Sequence, residues 1–328
     1  MRFLVFAVVC LVGCGPSSHV SAQTREATAL VTEVEQLRLY SSFWINLHHT
    51  LYGAAWDLRP QTGARRPVDP LPARLTAAFT DEERAAWDAA IVFYDRDIAD
   101  RDLRYGPGMA DIKLALADGR LDADVISKEL RATLDRAAPI YRRHFWPAHD
   151  RSNREWIADT TGRLRGIARD IIPSLERLYA RAWFTSPIRV DVVWVGRAYT
   201  TLNPTHATVS TADNVLKNWT SVEILLHEIS HELILGIERE LAVAFGDRLR
   251  AHDGLWHVVQ FYLTGVAVQD VLRRRGVDYA PYLYSTGLFD RAWSNYRQTI
   301  EDVWMPYIRG TATRAQAIER TVAAVTGR

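Results

Sequence analysis

From residue 24 to about 180 the apolar positions keep a helical rhythm. Leu30, Val34, Leu37, Leu47 and Leu51 recur at helical spacings with Tyr40, Phe43, Trp44 and Tyr52 interleaved, a pattern that predicts helix. Residues 59–72 are proline-rich and predict a loop. Thr80 and Glu83 make a capping box that opens a helix carrying Trp87, Ile91 and Tyr94, and Gly106-Pro107-Gly108 is expected to end it. Shorter helices are expected over 111–117 and 123–137, the second stopping at Pro139. A longer one begins near Asp150 or Ser152, with an interruption at Pro173.

The texture changes at Pro187. Residues 188–195 are rich in β-branched side chains and predict a strand. Asn203-Pro204 marks a turn, and 206–211 alternates as a second, edge strand would. Helical patterning resumes near Thr220 and continues to the end. The expected fold is mainly α with a small β-sheet, of the α+β class. Three parts are expected: an export segment and tether over 1–22, a helical region over 23–186, and a metal-binding domain over 187–328.

Composition narrows the function classes. The 328 residues are 48% hydrophobic and 24% charged, enough apolar surface for a folded core. Forty basic residues against thirty-nine acidic leave a net charge of +1. That balance excludes a nucleic-acid binder built on a basic field. Lys113, Lys128 and Lys217 are the only lysines; arginine carries the rest.

Arg2 precedes an uncharged run over 3–13. A membrane-spanning helix needs about 20 residues, so the run fits the apolar region of a signal peptide. Leu11-Val12-Gly13-Cys14 resembles the lipobox of bacterial lipoproteins, which implies lipid on Cys14 and a polar tether through Ser17, Ser18 and Gln23. The alternative is a secretory signal cut after Val20-Ser21-Ala22. The expected location is the bacterial cell envelope, periplasm or cell surface, with the N-terminal lipid as the one membrane contact. Cys10 and Cys14 are the only cysteines, so the mature chain forms no internal disulfide.

The chemistry lies in Leu225-Leu226-His227-Glu228-Ile229-Ser230-His231. Positions i and i+4 share a helix face, so His227 and His231 can offer two imidazole nitrogens to one zinc ion. Glu228 stands beside the metal rather than on it, where it can take a proton from water and pass it to a leaving amine. With two strands before the motif and an apolar helix around it, the stretch from Ile188 to Leu272 resembles the zincin metallopeptidases. The resemblance implies an active-site helix behind a small sheet, a substrate-binding edge strand, and peptide as substrate. Glu232 departs from the pattern, since the position after the second histidine is usually uncharged in that clan.

A catalytic zinc site needs a third protein ligand. The metzincin arrangement fails, because Ile234 and Ile237 stand where glycine and histidine are required. For the gluzincin arrangement, Glu238 and Glu240 follow His231 too closely to fold back, and the next helix holds no glutamate. That helix does hold His257, the expected third ligand, with Asp253 and His252 as alternatives. Tyr262, Tyr282 and His206 are candidates for stabilising the oxyanion. His48-His49 and the patch from His144 to Asp150 are read as packing between helices, or as cleft lining. The expected function is a zinc-dependent peptidase with Glu228 as general base. A non-catalytic lipoprotein with a structural or degenerate metal site is the competing class, and hydrolysis of a non-peptide amide a third.

Overall fold

The computed structural model describes residues 30–57 and 78–327. Cys14, its lipobox and the 59–72 loop lie outside the described residues. The fold is mainly helical around one five-stranded mixed sheet. Among the described residues no helix is long and apolar enough to cross a membrane.

The chain enters through a hairpin, β1 (Leu30–Val34) and β2 (Leu37–Tyr40). Its two-residue turn, Glu35-Gln36, has φ of 48° and 63°, the positive values that match the twist of paired strands. This corrects the helix expected over Leu30, Val34 and Leu37. Leu37 and Leu39 are both fully buried, and two residues is the period of a strand. Over so short a stretch the two periods coincide at several positions. Parallel pairing of β2 with a strand near residue 190 decides between them.

Four helices follow: α1 (Phe43–Asp57), α2 (Asp81–Asp97), α3 (Met109–Ala117) and α4 (Lys128–His144). They close a core of their own around Trp87, Tyr94, Tyr141 and Phe145. The capping box of Thr80 and Glu83 opens α2 as expected. The helix stops at Asp97, well before Gly106, so residues 98–108 form a loop. Helix α4 runs through Pro139 instead of stopping there. Helix α5 (Trp146–Tyr179) starts earlier than expected and passes Pro173 without a break. Ile167, Ile171, Leu175 and Leu178 are fully buried around that proline, and their packing outweighs one missing N–H donor.

The rest of the sheet is β3 (Ile188–Val193), β4 (Tyr199–Thr201) and β5 (His206–Ser210), in the order β1-β2-β3-β5-β4. The strand at 206–210 therefore lies inside the sheet, and β4 is the edge. Behind the sheet come α6 (Asn218–Leu233), α7 (Leu235–Phe245), α8 (Leu255–Arg274), α9 (Tyr282–Ser285), α10 (Leu288–Ala292), α11 (Arg297–Ile308) and α12 (Arg314–Thr326). The larger core joins Leu37, Leu39, α5, one sheet face and α6 to α12, so it takes chain from both sides of residue 186.

Side chains alternate across β3 and both faces are covered. Val190 and Val192 enter the larger core, while Arg189, Asp191 and Val193 face the helical lobe. Val193 packs there on Ile45 and Ala117. Asp191 has no exposure to water. It accepts from Ser42 Oγ at 2.8 Å, Arg189 Nε at 2.6 Å and His206 Nε2 at 2.7 Å, and Arg189 also donates to the carbonyl of Ala117 at 2.6 Å. Burial pushes the Asp191 carboxyl up, but the His206 hydrogen bond and the Arg189 charge outweigh it and hold the group well below the usual carboxylate range. Lys113 attaches α3 in the same place, donating to the carbonyl of His206 at 2.6 Å, and burial lowers its ammonium to about 7.

A carboxylate whose folded pKa is depressed stabilises the fold above its unfolded pKa of about 4, and that contribution is lost as pH falls towards the folded value. Asp191→Asn is expected to cost about 3 to 5 kcal/mol at pH 7, as for removal of one partner from a buried ion pair. The stability lost by the wild type between pH 5 and pH 2 should shrink in the variant. Urea denaturation at the two pH values checks both.

Candidate metal centre

Helix α6 is buried on nearly every side: each residue from Ser221 to His231 is buried. Polar groups in such a helix must find partners or be costly. The carbonyl of His227 accepts from Gln260 Nε2 at 2.8 Å and from Ser230 Oγ at 2.8 Å. Glu223, one turn before His227, accepts from Tyr279 Oη at 2.5 Å and the Tyr282 amide at 3.1 Å. Gly265 lets α8 come this close. A Cβ there would stand 2.9 Å from Pro281 Cβ and 3.0 Å from Glu223 Oε1.

His227 and His231 share one face of α6, and α8 brings His257 to meet them. One ring nitrogen from each lies within 4.8 Å of the others. The Nε2 atoms of His227 and His257 are 3.2 Å apart. Two ligands at 2.0–2.1 Å in tetrahedral coordination sit about 3.3 Å from one another, so this pair already has the spacing of a shared ion. Burial lowers the three imidazoles, His227 well below the usual range, His231 to about 2 and His257 to about 4, and the positive charge of Arg104 adds to it. Neutral imidazoles keep a lone pair for a metal. The donor set fits zinc.

Glu228 is buried at 5% exposure beside this group. Its Oε2 is 2.8 Å from Thr200 Oγ1 on the edge strand and 3.8 Å from His231 Nε2. Burial raises its carboxyl to about 7, with the Thr200 hydrogen bond and Arg104 pulling the other way. The aromatic rings of Phe261, Trp256 and Trp293 wall the centre; Phe261 stacks on His227 at 3.7 Å.

The other candidates go elsewhere. His252 stacks on Phe245 and meets Tyr296 Oη at 3.1 Å, and Asp253 is exposed; neither belongs to the three-histidine group. Tyr262 faces away from His257, with Glu301, Arg309 and Asp270 as its charged neighbours. Tyr282 stacks on Phe261, which stands between it and His227. His206 turns to Asp191 on the far face of the sheet. His48, His49, His144 and His149 each meet a partner in helix and sheet packing: Tyr94, Tyr199, Glu83 and Tyr141. Glu232 bends away from the histidines to accept from Thr205 Oγ1, which accommodates a charge in that position.

Two residues at the centre escaped the sequence reading. Thr200 sits in a three-residue strand, too short to show a period. Arg104 comes from the 98–108 loop, and its guanidinium donates to His231 Nδ1 at 3.0 Å. The β-favouring residues Tyr199, Thr200 and Thr201 are the one local signal for the first; nothing local marks the second.

Equilibrium dialysis against zinc is expected to give one ion per chain. Alanine at His227, His231 or His257 should weaken binding by more than about 100-fold, beyond what loss of a supporting residue costs. Wild-type affinity in His257→Ala, with loss in His252→Ala or Asp253→Ala, would move the third ligand. No family model, curated protein or solved structure matches this chain, so the centre is read from its own geometry.

Proposed function

We propose that the chain is a zinc-dependent hydrolase of amide bonds, with peptides as its substrate class. One observation carries the reading: three neutral imidazoles converge from two helices, and the adjacent Glu228 is free of the group and held by Thr200. A structural metal site has no use for such a carboxylate. Zinc held by His227, His231 and His257 would supply a Lewis acid there.

The chain's own residues do the rest. Thr200 fixes the Glu228 carboxylate with one oxygen near His231. From there Glu228 takes a proton from the attacking water and delivers it to the leaving nitrogen, so one group serves two transfers. Phe261, Trp256 and Trp293 exclude bulk water from the reacting bond. Peptide as substrate goes with a carboxylate that can hand a proton to a leaving amine. Strand β4, the edge of the sheet, is buried along its three residues and serves to hold Glu228 through Thr200. Export and a lipid anchor at Cys14 belong to the same proposal.

Glu228→Gln is expected to keep the fold and the zinc while hydrolysis falls by about 10² to 10⁴, the usual worth of general acid–base catalysis. The check is a mixed peptide library incubated with and without chelator, with new termini read by mass spectrometry. Chelator-sensitive cleavage undiminished in the variant removes Glu228 from the mechanism. No cleavage by the zinc-loaded wild type favours the non-catalytic alternative. Separately, Cys14→Ser should release the exported chain from membranes in a fractionation assay; unchanged membrane association would favour the plain secretory signal.

A further inference from the structure

Arg104 is half-buried and belongs to the helical lobe, yet its guanidinium reaches a histidine of the metal group. Its other neighbour is the ring of Tyr105, 4.7 Å from the guanidinium carbon. Among the described residues no carboxylate forms an ion pair with it, and Glu228 and Glu238 act on it only from further off. An arginine aimed at a cation site with no carboxylate in contact needs an explanation.

The bond from Arg104 to His231 Nδ1 cannot persist once His231 ligates a metal. If Nδ1 is the ligand, its lone pair is taken. If Nε2 is the ligand, the neutral ring carries its one proton on Nδ1, which then donates and cannot accept. Metal binding therefore frees Arg104 beside the centre. The charge balance points the same way. Three neutral imidazoles bring no negative charge to offset a dication; among the described residues Glu228 is the carboxylate beside them, and Glu238 acts on Arg104 from further off. With Arg104 present, the loaded centre holds an excess of positive charge, which an anion relieves. The planar guanidinium fork matches a carboxylate through two parallel hydrogen bonds.

We propose that Arg104 is a substrate-binding residue that receives a carboxylate next to the scissile bond, and that metal loading releases it for this task. The inference rests on the hydrolase reading and deepens it. Substrates are amides with a free α-carboxylate next to the cleaved bond, as in N-benzoylglycine, so peptides are cut close to their C-terminus rather than in mid-chain.

The test has two arms, neither of which needs turnover. In the first, zinc affinity is measured by chelator competition for wild type, Arg104→Gln and Arg104→Lys. Losing the competing hydrogen bond should make Arg104→Gln bind zinc more tightly than wild type. Unchanged or weaker binding overturns the release. In the second, cobalt-loaded Glu228→Gln protein, chosen so that the ligand is not cleaved, is titrated with N-benzoylglycine and with N-benzoylglycinamide, and the visible spectrum is followed. The acid should bind roughly 10- to 100-fold tighter than the carboxamide, the range for a hydrogen bond to a charged group. Adding Arg104→Gln should erase that preference, and adding Arg104→Lys should restore part of it. Equal binding of acid and carboxamide overturns the proposal and leaves the hydrolase reading intact. A carboxylate preference that depends on Arg104, in a protein that cleaves nothing, keeps Arg104 as the carboxylate-binding residue while the hydrolase reading, and with it the scissile bond, fails. Circular dichroism confirms folding of each variant, which the half-exposed position of Arg104 favours.

Discussion

A single carboxylate that never meets water joins the two halves of this molecule. Asp191 stands in the middle strand of the sheet and takes hydrogen bonds from the start of α1, from its own strand and from β5. Arg189 extends the reach to the end of α3. Burying a charge is costly unless it is paired and hydrogen-bonded, so these partners must all be in place together. Once they are, the helical lobe has one seat on the sheet. Strand β5 is then fixed, β4 with it, and Thr200 on β4 meets Glu228.

The same logic governs α6. Six polar side chains, Ser221, Glu223, His227, Glu228, Ser230 and His231, sit in the buried run of this helix. They draw on several elements: α5 for Ser221, Tyr279 and the Tyr282 amide for Glu223, α8 for Ser230 and the His227 carbonyl, β4 for Glu228, the 98–108 loop for His231. A buried polar network is stabilising when satisfied and costly when broken. The candidate centre is thus tied into the stability of the surrounding fold. His227 Nδ1 is the exception, buried with no partner, so on this ring it is the Nε2 side that faces the other imidazoles.

Placing the centre between lobes has an electrostatic consequence. Glu228 and all three imidazoles come from α6 and α8, behind the sheet, whereas the nearest cation, Arg104, comes from the helical lobe in front. The charge of the site therefore depends on how the lobe is seated, and the seat is set by Asp191, Arg189 and Lys113 on the opposite face of the same strands. Two polar layers, one on each side of the sheet, are coupled through strands only a few residues long.

Local sequence fixed what local physics controls. The spacing of His227 and His231 puts both rings on one helix face whatever the rest of the chain does. Thr80 and Glu83 cap α2 because the capping hydrogen bonds close within one turn. The β-branched run at 188–193 makes a strand because its residues prefer one. Local pattern failed wherever a distant partner outweighed it. The hairpin at 30–40 carries a spacing that also suits a helix, and only its parallel partner near residue 190 makes it a strand. Pro173 and Pro139 should end helices, yet packing along α5 and α4 carries both helices through. His206 has the alternation of an edge strand, but strand order is a global property, and β4 took the edge. His257 could be named in advance because its helix offered no other suitable ligand; that it reaches His227 was decided by α8 crossing α6 at Gly265. Arg104 had no signature at all, since what sets it apart is a neighbour 127 positions along the chain, and only the folded structure supplies that proximity.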